Sequence, residues 1–343
     1  MNADYTLINE KWKQLKSFQP ELSTGSVAEK LKISEAELFY AGKGDEIKLL
    51  NSEFEKQLNE IAKFPDLNLI VKNKACVNSI KTAFKVTNDE TENSIRLKSA
   101  EMDLEIPLRV LKYGFAFNSA DEKSIQYFDK YGFSVFKIRL KKESLENETD
   151  DFIKTFENKS ETFDFEIEAY PAEHQTDLTA DELKAFQSDW KNLDEPEEFN
   201  QILKKYNISQ LNALHHAPED YFATKIRNRK VANILEEAIV AGTKLKFSVE
   251  NHKTGLTYKC ASERGSWHGE WFNVFGKTAQ FSLDTSKIIE SFIVRKPSRS
   301  GIISSISCFD GNNAQIFEVY CDRENDEPEP NEWRALLNSF ENQ

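Results

Sequence analysis

The sequence predicts an α+β fold made by tandem duplication, each half opening with helices and continuing into a large, mainly antiparallel sheet. Two observations carry this. The first is an internal repeat, which has to be sought before any element is assigned. Trp12-Lys13-Gln14-Leu15 returns 178 residues on as Trp190-Lys191-Asn192-Leu193, and Val71-Lys72-Asn73 returns at the same offset as Val249-Glu250-Asn251. Phe128-Asp129, followed by Val135-Phe136, returns 181 residues on as Phe309-Asp310, followed by Ile316-Phe317. Three matches in order at nearly one offset define halves at 1–160 and 185–343, joined by a linker at 161–184, and each half is long enough to hold its own core. The second observation is the order of periodicities. In each half, helical patterning comes before a run of period-two segments separated by short turns, the signature of α+β architecture.

The elements follow in chain order. Residues 25–40 suit two short helices, the second opened by Ser34 with Glu37 three residues later as a capping box. Asp129 to Gly132 reads as a turn between strands. Thr162 to Glu168 alternates like an edge strand, and the rest of the connector, with Pro171 and His174-Gln175-Thr176-Asp177, reads as linker. In the second half Pro196 fits the first turn of a helix whose Phe199, Ile202, Leu203 and Tyr206 share one apolar face. Val231 to Ala241 is a further helix, stopped by Gly242. Lys244 to Val249 alternates, and 288–294, 302–309 and 314–320 read as three consecutive strands, with Asp310-Gly311-Asn312 turning between the last two.

Composition narrows the function. The chain of 343 residues carries 58 Asp and Glu against 45 Lys and Arg, a net charge of −13, which repels phosphate backbones and anionic lipid and argues against nucleic acid as a partner. No apolar run reaches the length of a membrane span, so no membrane insertion is expected, and the first residues lack a secretory pattern, which predicts a cytoplasmic protein. Cys76, Cys260, Cys308 and Cys321 form no CxxC pair and read as small core hydrophobes. Phe supplies 25 of the aromatics, pointing to large apolar cores or a flat apolar pocket. Dinucleotide, phosphate-loop, zinc-protease and serine-hydrolase signatures are all missing. The adjacent acids Glu197 and Glu198 point in different directions on a helix and suit its start better than paired catalysis. The acid runs Glu143 to Asp151 and Glu324 to Glu329 read as solvated loops.

Several segments together resemble one family. Trp271-Phe272-Asn273-Val274, Val294-Arg295-Lys296-Pro297, Phe309-Asp310, Tyr320-Cys321-Asp322-Arg323 and Trp333-Arg334 look like the C-terminal half of the HemS/ChuS family of bacterial cytoplasmic haem-handling proteins. Ile33 to Leu38, Lys72-Asn73 and Ser124 to Asp129 look like its N-terminal repeat. The resemblance spans almost the whole chain. It implies tandem repeats with large antiparallel sheets, haem as ligand or substrate in a cleft of the C-terminal half, and a role in haem-iron uptake and utilisation. It also implies a haem importer or haem-accepting protein as partner and, for some members, ring opening with reductant and oxygen.

Haem asks for cationic or phenolic donors at its propionates, apolar walls, and an axial ligand on iron. The resemblance places propionate donors at Lys296, Tyr320 and Arg323. It places the axial position at Glu197, the distal arginine at Glu105 and a further N-terminal histidine at Asn78, so all three iron-side positions have changed type. A carboxylate is a hard, poor substitute for imidazole on haem iron. His215 and His216, one helix beyond Glu197, are then the first replacement candidates, ahead of His252, His268 and His174, while Tyr206 reads as core. Four readings stay open: haem binding and trafficking with haem-degrading activity undecided, an iron-independent tetrapyrrole-binding module, a tetrapyrrole-cleaving or dechelating enzyme in which Glu105 or Glu197 moves protons, and a structural or partner-docking relic with no ligand, whose acidic surface would suit a basic partner.

Overall fold

A computed structural model describes residues 4–89, 93–119, 122–140, 146–160, 163–170, 177–251, 254–260, 262–323 and 327–341. Pro171, His174 and His252 lie outside the described residues, as do residues 143–145 and 324–326 of the acid runs. The strands belong to two nine-stranded sheets. The chain divides into two compact units. Unit one comprises Met1–Lys72, Ser79–Pro171 and Asn251–Gly255; unit two comprises Asn73–Asn78, Ala172–Glu250 and Leu256–Gln343.

Unit one opens with helices Tyr5–Phe18, Thr24–Leu31 and Glu35–Ala41. The expected capping box is present: Ser34 Oγ accepts from the Glu37 amide at 3.2 Å and Glu37 Oε2 accepts from the Ser34 amide at 2.8 Å. Such reciprocal bonds satisfy two donors that a helix start would otherwise leave open. A sheet run follows in the order Ile47–Leu49, Tyr113–Asn118, Lys123–Phe128, Ser134–Leu140, Leu67–Lys72, with antiparallel pairing such as Phe115 opposite Gln126. A three-stranded meander, Lys85–Asp89, Ser94–Lys98 and Met102–Pro107, also belongs to the unit.

The stretch expected as an edge strand is corrected. Residues 163–168 form no strand. Phe163, Phe165 and Ile167 instead pack on the core of Phe39, Tyr113, Phe115 and Phe128, and Phe165 stacks on Tyr40 at 4.1 Å between centroids. Alternate apolar residues found an aromatic floor, and burying them there needs no ladder of hydrogen bonds.

Unit two repeats the plan. Helices Ala180–Lys191, Phe199–Tyr206 and Gln210–His215 precede a run in the order Ala223–Ile226, Glu290–Ser298, Gly301–Phe309, Gln315–Cys321, Leu245–Asn251, and the helix Lys230–Val240 follows the first of these strands. The three consecutive strands expected from the sequence are those at 290–298, 301–309 and 315–321. Ser262–His268, Trp271–Gly276 and Ala279–Asp284 form the corresponding meander. Pro196 opens a single 3-10 turn, Pro196–Glu198, which runs into the helix at Phe199.

Two further expectations are settled by burial. All four cysteines are free and buried, as small core residues would be. Glu329 was expected in a solvated loop and is instead 4% exposed, its carboxylate accepting from the Ser304 amide and hydroxyl and from Arg334. Burial raises its pKa above the ordinary carboxylate value against those bonds. Among the described residues no helix is long and apolar enough to cross a membrane, and no cluster of three His, Cys, Asp or Glu could hold a metal ion.

Candidate functional site

The site is built on the strands Glu290–Ser298, Gly301–Phe309 and Gln315–Cys321 of unit two. Val294 pairs opposite Ser305, which pairs opposite Tyr320; Lys296 lies two residues beyond Val294, and Glu318 two before Tyr320. Period-two alternation therefore puts Lys296, Ser305, Glu318 and Tyr320 on one sheet face. Helices cover the rest of that face: Phe186, Trp190, Phe199 and Ile202 pack with Phe292 and Val294. Trp190 fixes the margin of this core. Its Nε1 donates to the carbonyl of Arg295 at 3.1 Å, and its ring packs 4.6 Å from Phe199. Phe199 in turn lies under Lys296, whose Nζ is 5.0 Å from the ring centroid. The repeated Trp-x-x-Leu motif thus positions a lysine.

At that margin the polar groups converge on one carboxylate. Lys296 Nζ donates to Glu318 Oε1 at 3.2 Å, Ser305 Oγ donates to the same oxygen at 2.6 Å, and Tyr320 OH donates to Glu318 Oε2 at 3.1 Å. Lys296 and Glu318 are both buried, at 8% and 7% exposure. Burial opposes ionisation of Glu318, but the Lys296 charge and the three donated bonds hold its pKa below the ordinary carboxylate value. Three donors, one from each strand, thus close on a single buried carboxylate.

The other residues singled out by sequence scatter. Arg323 follows the last strand and donates from Nη1 to the Glu327 carbonyl at 2.9 Å. Glu197 sits exposed in the 3-10 turn two residues before Phe199, close to the Lys296 end of its strand. Arg299 fastens that approach, its amide donating to the Asp194 carbonyl at 2.9 Å. His215 is at the other end: its Nε2 lies 3.3 Å from Glu290 Oε2, and its ring stands edge-on to Phe292. Glu290 and Lys296 are six residues apart on one strand, roughly 20 Å at 3.3 Å per residue. His216 is exposed at the C-cap of the helix Gln210–His215, and His268 is exposed at the end of its strand. Tyr206 donates to Asp189 at 2.8 Å on the flank of the core. In unit one, Glu105 pairs with Arg96 across the hairpin at 2.5 Å. Asn78 is fully buried, and among the described residues neither end of its amide has a hydrogen-bond partner.

Glu318 and Ser305 are the members that sequence reasoning missed. The available signal was an acid in the otherwise apolar and aromatic strand Ile316-Phe317-Glu318-Val319-Tyr320, since a buried acid needs a partner.

Similarity to known proteins agrees with this layout. The family model described as the haemin-degrading HemS.ChuX domain matches twice, over residues 32–158 and 207–340. The hemin transport protein HmuS of Yersinia pestis is 24% identical over 98% of this chain and 97% of its own length. Among solved structures, apo-PhuS, a heme-binding protein from Pseudomonas aeruginosa, superposes with a TM-score of 0.90 at 24% identity, covering 98% of this chain and 99% of that one. The heme degrading enzyme ChuS of Escherichia coli O157:H7 gives 0.88 at 22% identity, with the same coverage. The two matched segments fall one in each half of the duplication read from the sequence, and the chain belongs to the haemin-degrading HemS.ChuX domain family.

Proposed function

We propose that the protein binds haem through unit two and carries it within the cytoplasm, between a haem importer and a haem-accepting protein, as part of haem-iron utilisation. One observation carries the reading: Lys296, Ser305 and Tyr320 already converge on a carboxylate, the group that a haem propionate presents. Family resemblance adds Arg323, three residues beyond Tyr320, as a second propionate donor, which must leave the Glu327 carbonyl to reach the ligand. Phe199, 1% exposed beneath Lys296, holds that lysine in place. Family membership and the likeness to the hemin transport protein HmuS and the heme-binding protein PhuS support the same ligand.

Haem fits this donor set at its propionate edge and less well at its iron. The residue that the resemblance places on iron is Glu197, a carboxylate, and His215 is engaged with Glu290 at the far end of the strand. Binding and delivery therefore suit these residues better than ring opening, which asks for a firmly ligated iron. The same substitution favours a second reading, in which the cleft holds the porphyrin with no contribution from the metal.

Haemin titrated into the protein should give a saturable Soret shift. Lys296→Ala and Arg323→Ala should each weaken binding by about 1–3 kcal/mol, the range of a charge-assisted bond. The absence of saturable binding would refute the haem reading. Equal affinity for haemin and metal-free protoporphyrin would establish the iron-independent one.

A further inference from the structure

The strand that carries Lys296 loses its outer neighbour just before that residue. The strand Ala223–Ile226 pairs with it from Ser291 to Val294, with Ala223 opposite Val294, and starts there. In an antiparallel ladder the amide and carbonyl of one residue point to the same side, and successive residues alternate. Lys296 therefore turns its backbone toward Ile303 of the inner strand, and Arg295 turns its own outward. Both outward groups of Arg295 are met off the ladder. Its amide donates to the Phe222 carbonyl at 2.8 Å, and its carbonyl accepts from Trp190 Nε1 at 3.1 Å. The next outward residue is Pro297, which has no amide hydrogen to give.

The Arg295 side chain fastens the same point from the other face of the sheet, since alternation sets it opposite to the Lys296 side chain. It is 1% exposed, yet its guanidinium is engaged at both terminal nitrogens. Nη1 donates to the Tyr221 carbonyl at 2.9 Å and to Thr224 Oγ1 at 3.5 Å. Nη2 donates to Asn338 Oδ1 at 2.8 Å and pairs with the Glu341 carboxylate. The guanidinium carbon also lies 4.6 Å from the centroid of the Tyr221 ring. Asn338 and Glu341 belong to the last turn of the helix Asn331–Glu341. One side chain thus ties that helix and the segment 221–224 to the strand. A buried guanidinium is costly to desolvate unless its donors are met, and its planar fork fixes geometry that a flexible ammonium would not.

Unit one has the same tie in a weaker form. Tyr113 lies opposite Phe128 as Glu290 lies opposite Phe309, which makes Asn118 the counterpart of Arg295. The Asn118 amide donates to the Glu46 carbonyl at 2.8 Å, and its Nδ2 donates to Asp150 Oδ1, on the helix Glu146–Phe156, at 3.1 Å. The next residue there is Ser119, where unit two has Lys296. The duplicated scaffold tethers this point of the strand in both units, and the tether is a buried, multidentate arginine where a lysine follows. We infer that Arg295 is a positioning residue for Lys296: clamped by Tyr221, Asn338 and Glu341, it holds the strand end so that the Lys296 ammonium stays on Glu318 and above Phe199. Its effect on ligand affinity rests on the haem reading proposed above; its effect on Lys296 does not.

Arg295→Ala would empty a fully buried site and endanger the fold, so the test removes the partners instead. Asn338→Ala/Glu341→Gln leaves Arg295 in place and alters only the last turn of one helix. In the unliganded full chain, reductive methylation read by mass spectrometry should modify Lys296 about threefold faster in this double variant than in the wild type. Lys137 of unit one, paired with Glu122, should keep its rate. Haemin should bind the double variant about fivefold more weakly, and that loss should shrink below about twofold when Lys296→Ala is already present, because the clamp acts through the lysine. A merely structural tie would lower the urea midpoint and leave both the Lys296 rate and the haemin affinity as they are, and that result overturns the inference. An equal loss of haemin affinity with and without Lys296 overturns it as well. If the wild type binds no haemin, the haem reading fails, and the methylation rates decide the role of Arg295 by themselves: a faster Lys296 upholds it and an unchanged one overturns it.

Discussion

Glu318 puts a negative charge where family resemblance points to positive ones. Lys296 and Glu318 form a buried pair of zero net charge, and Tyr320 and Ser305 give their hydrogens to the same carboxylate. A propionate arriving there must share or displace those donors. Glu318→Gln keeps the shape of the side chain, retains an acceptor and removes the competing charge. Haemin binding to this variant should tighten by about tenfold, or roughly 1.4 kcal/mol. The unliganded protein should at the same time lose about 1–3 kcal/mol of stability, because Lys296 is left buried without its counter-charge. Soret titration and urea denaturation of the same variant measure the two effects. Weaker haemin binding would show that Glu318 assists the ligand and does not compete with it. Sequence showed Lys296 and Tyr320 as candidates because each is a donor type at a family position. It did not show that they meet on Glu318, because a strand's own sequence does not reveal which lysine of a neighbouring strand it faces.

Elements were legible where their signals are local. Ser34 and Glu37 announce a helix start by chemistry confined to four residues, and that helix begins at Glu35. The three strands after residue 288 could be read because each alternates and short turns separate them. Residues 163–168 were misread because alternation looks the same whether a segment joins a ladder or lies on an aromatic floor. What no local signal reports is how elements lean on each other, and Gly132 is an instance. It has φ +76°, and a Cβ there would stand 2.4 Å from Ser34 Cβ. The Gly132 carbonyl also accepts from the Ala36 amide at 3.2 Å, joining this turn to the first turn of the helix. Gly132→Ala should cost about 1–2 kcal/mol for the left-handed backbone, plus the cost of displacing the capping serine. Gly242→Ala separates the two terms: φ there is +72°, and nothing lies within 4 Å of the added methyl. Thermal or urea denaturation should find the Gly132 variant clearly the less stable; equal losses would mean that the Ser34 contact yields freely.

Across the whole molecule, duplication kept the scaffold and changed the charges. Each unit orders five strands in the same way, a short strand, three consecutive strands and an earlier strand at the end, yet the buried polar groups differ. In unit one Glu35 lies 3.0 Å from Lys72; in unit two Glu318 lies 3.2 Å from Lys296, on different elements. Both carboxyls have pKa values below the ordinary one despite burial, held there chiefly by their lysines and hydrogen-bonded hydroxyls. Glu329 is shifted the other way, raised by burial. These directions fix opposite signs of linkage. Glu35 and Glu318 contribute stability that is complete above the unfolded carboxyl pKa of about 4.3 and is lost as pH falls through their folded values. Glu329 contributes stability that is complete below about 4.3 and is lost as pH rises through its folded value. Urea midpoints measured from about pH 3 to 7 should therefore fall on the acid side in the wild type, and fall less steeply in Glu35→Gln and in Glu318→Gln. In Glu329→Gln the midpoint should gain on the wild type as pH rises. A Glu318→Gln profile parallel to the wild type would mean that the Lys296 pair leaves that carboxyl untitrated between the folded and unfolded states, and would remove the electrostatic basis for reading the cluster as a carboxylate receptor.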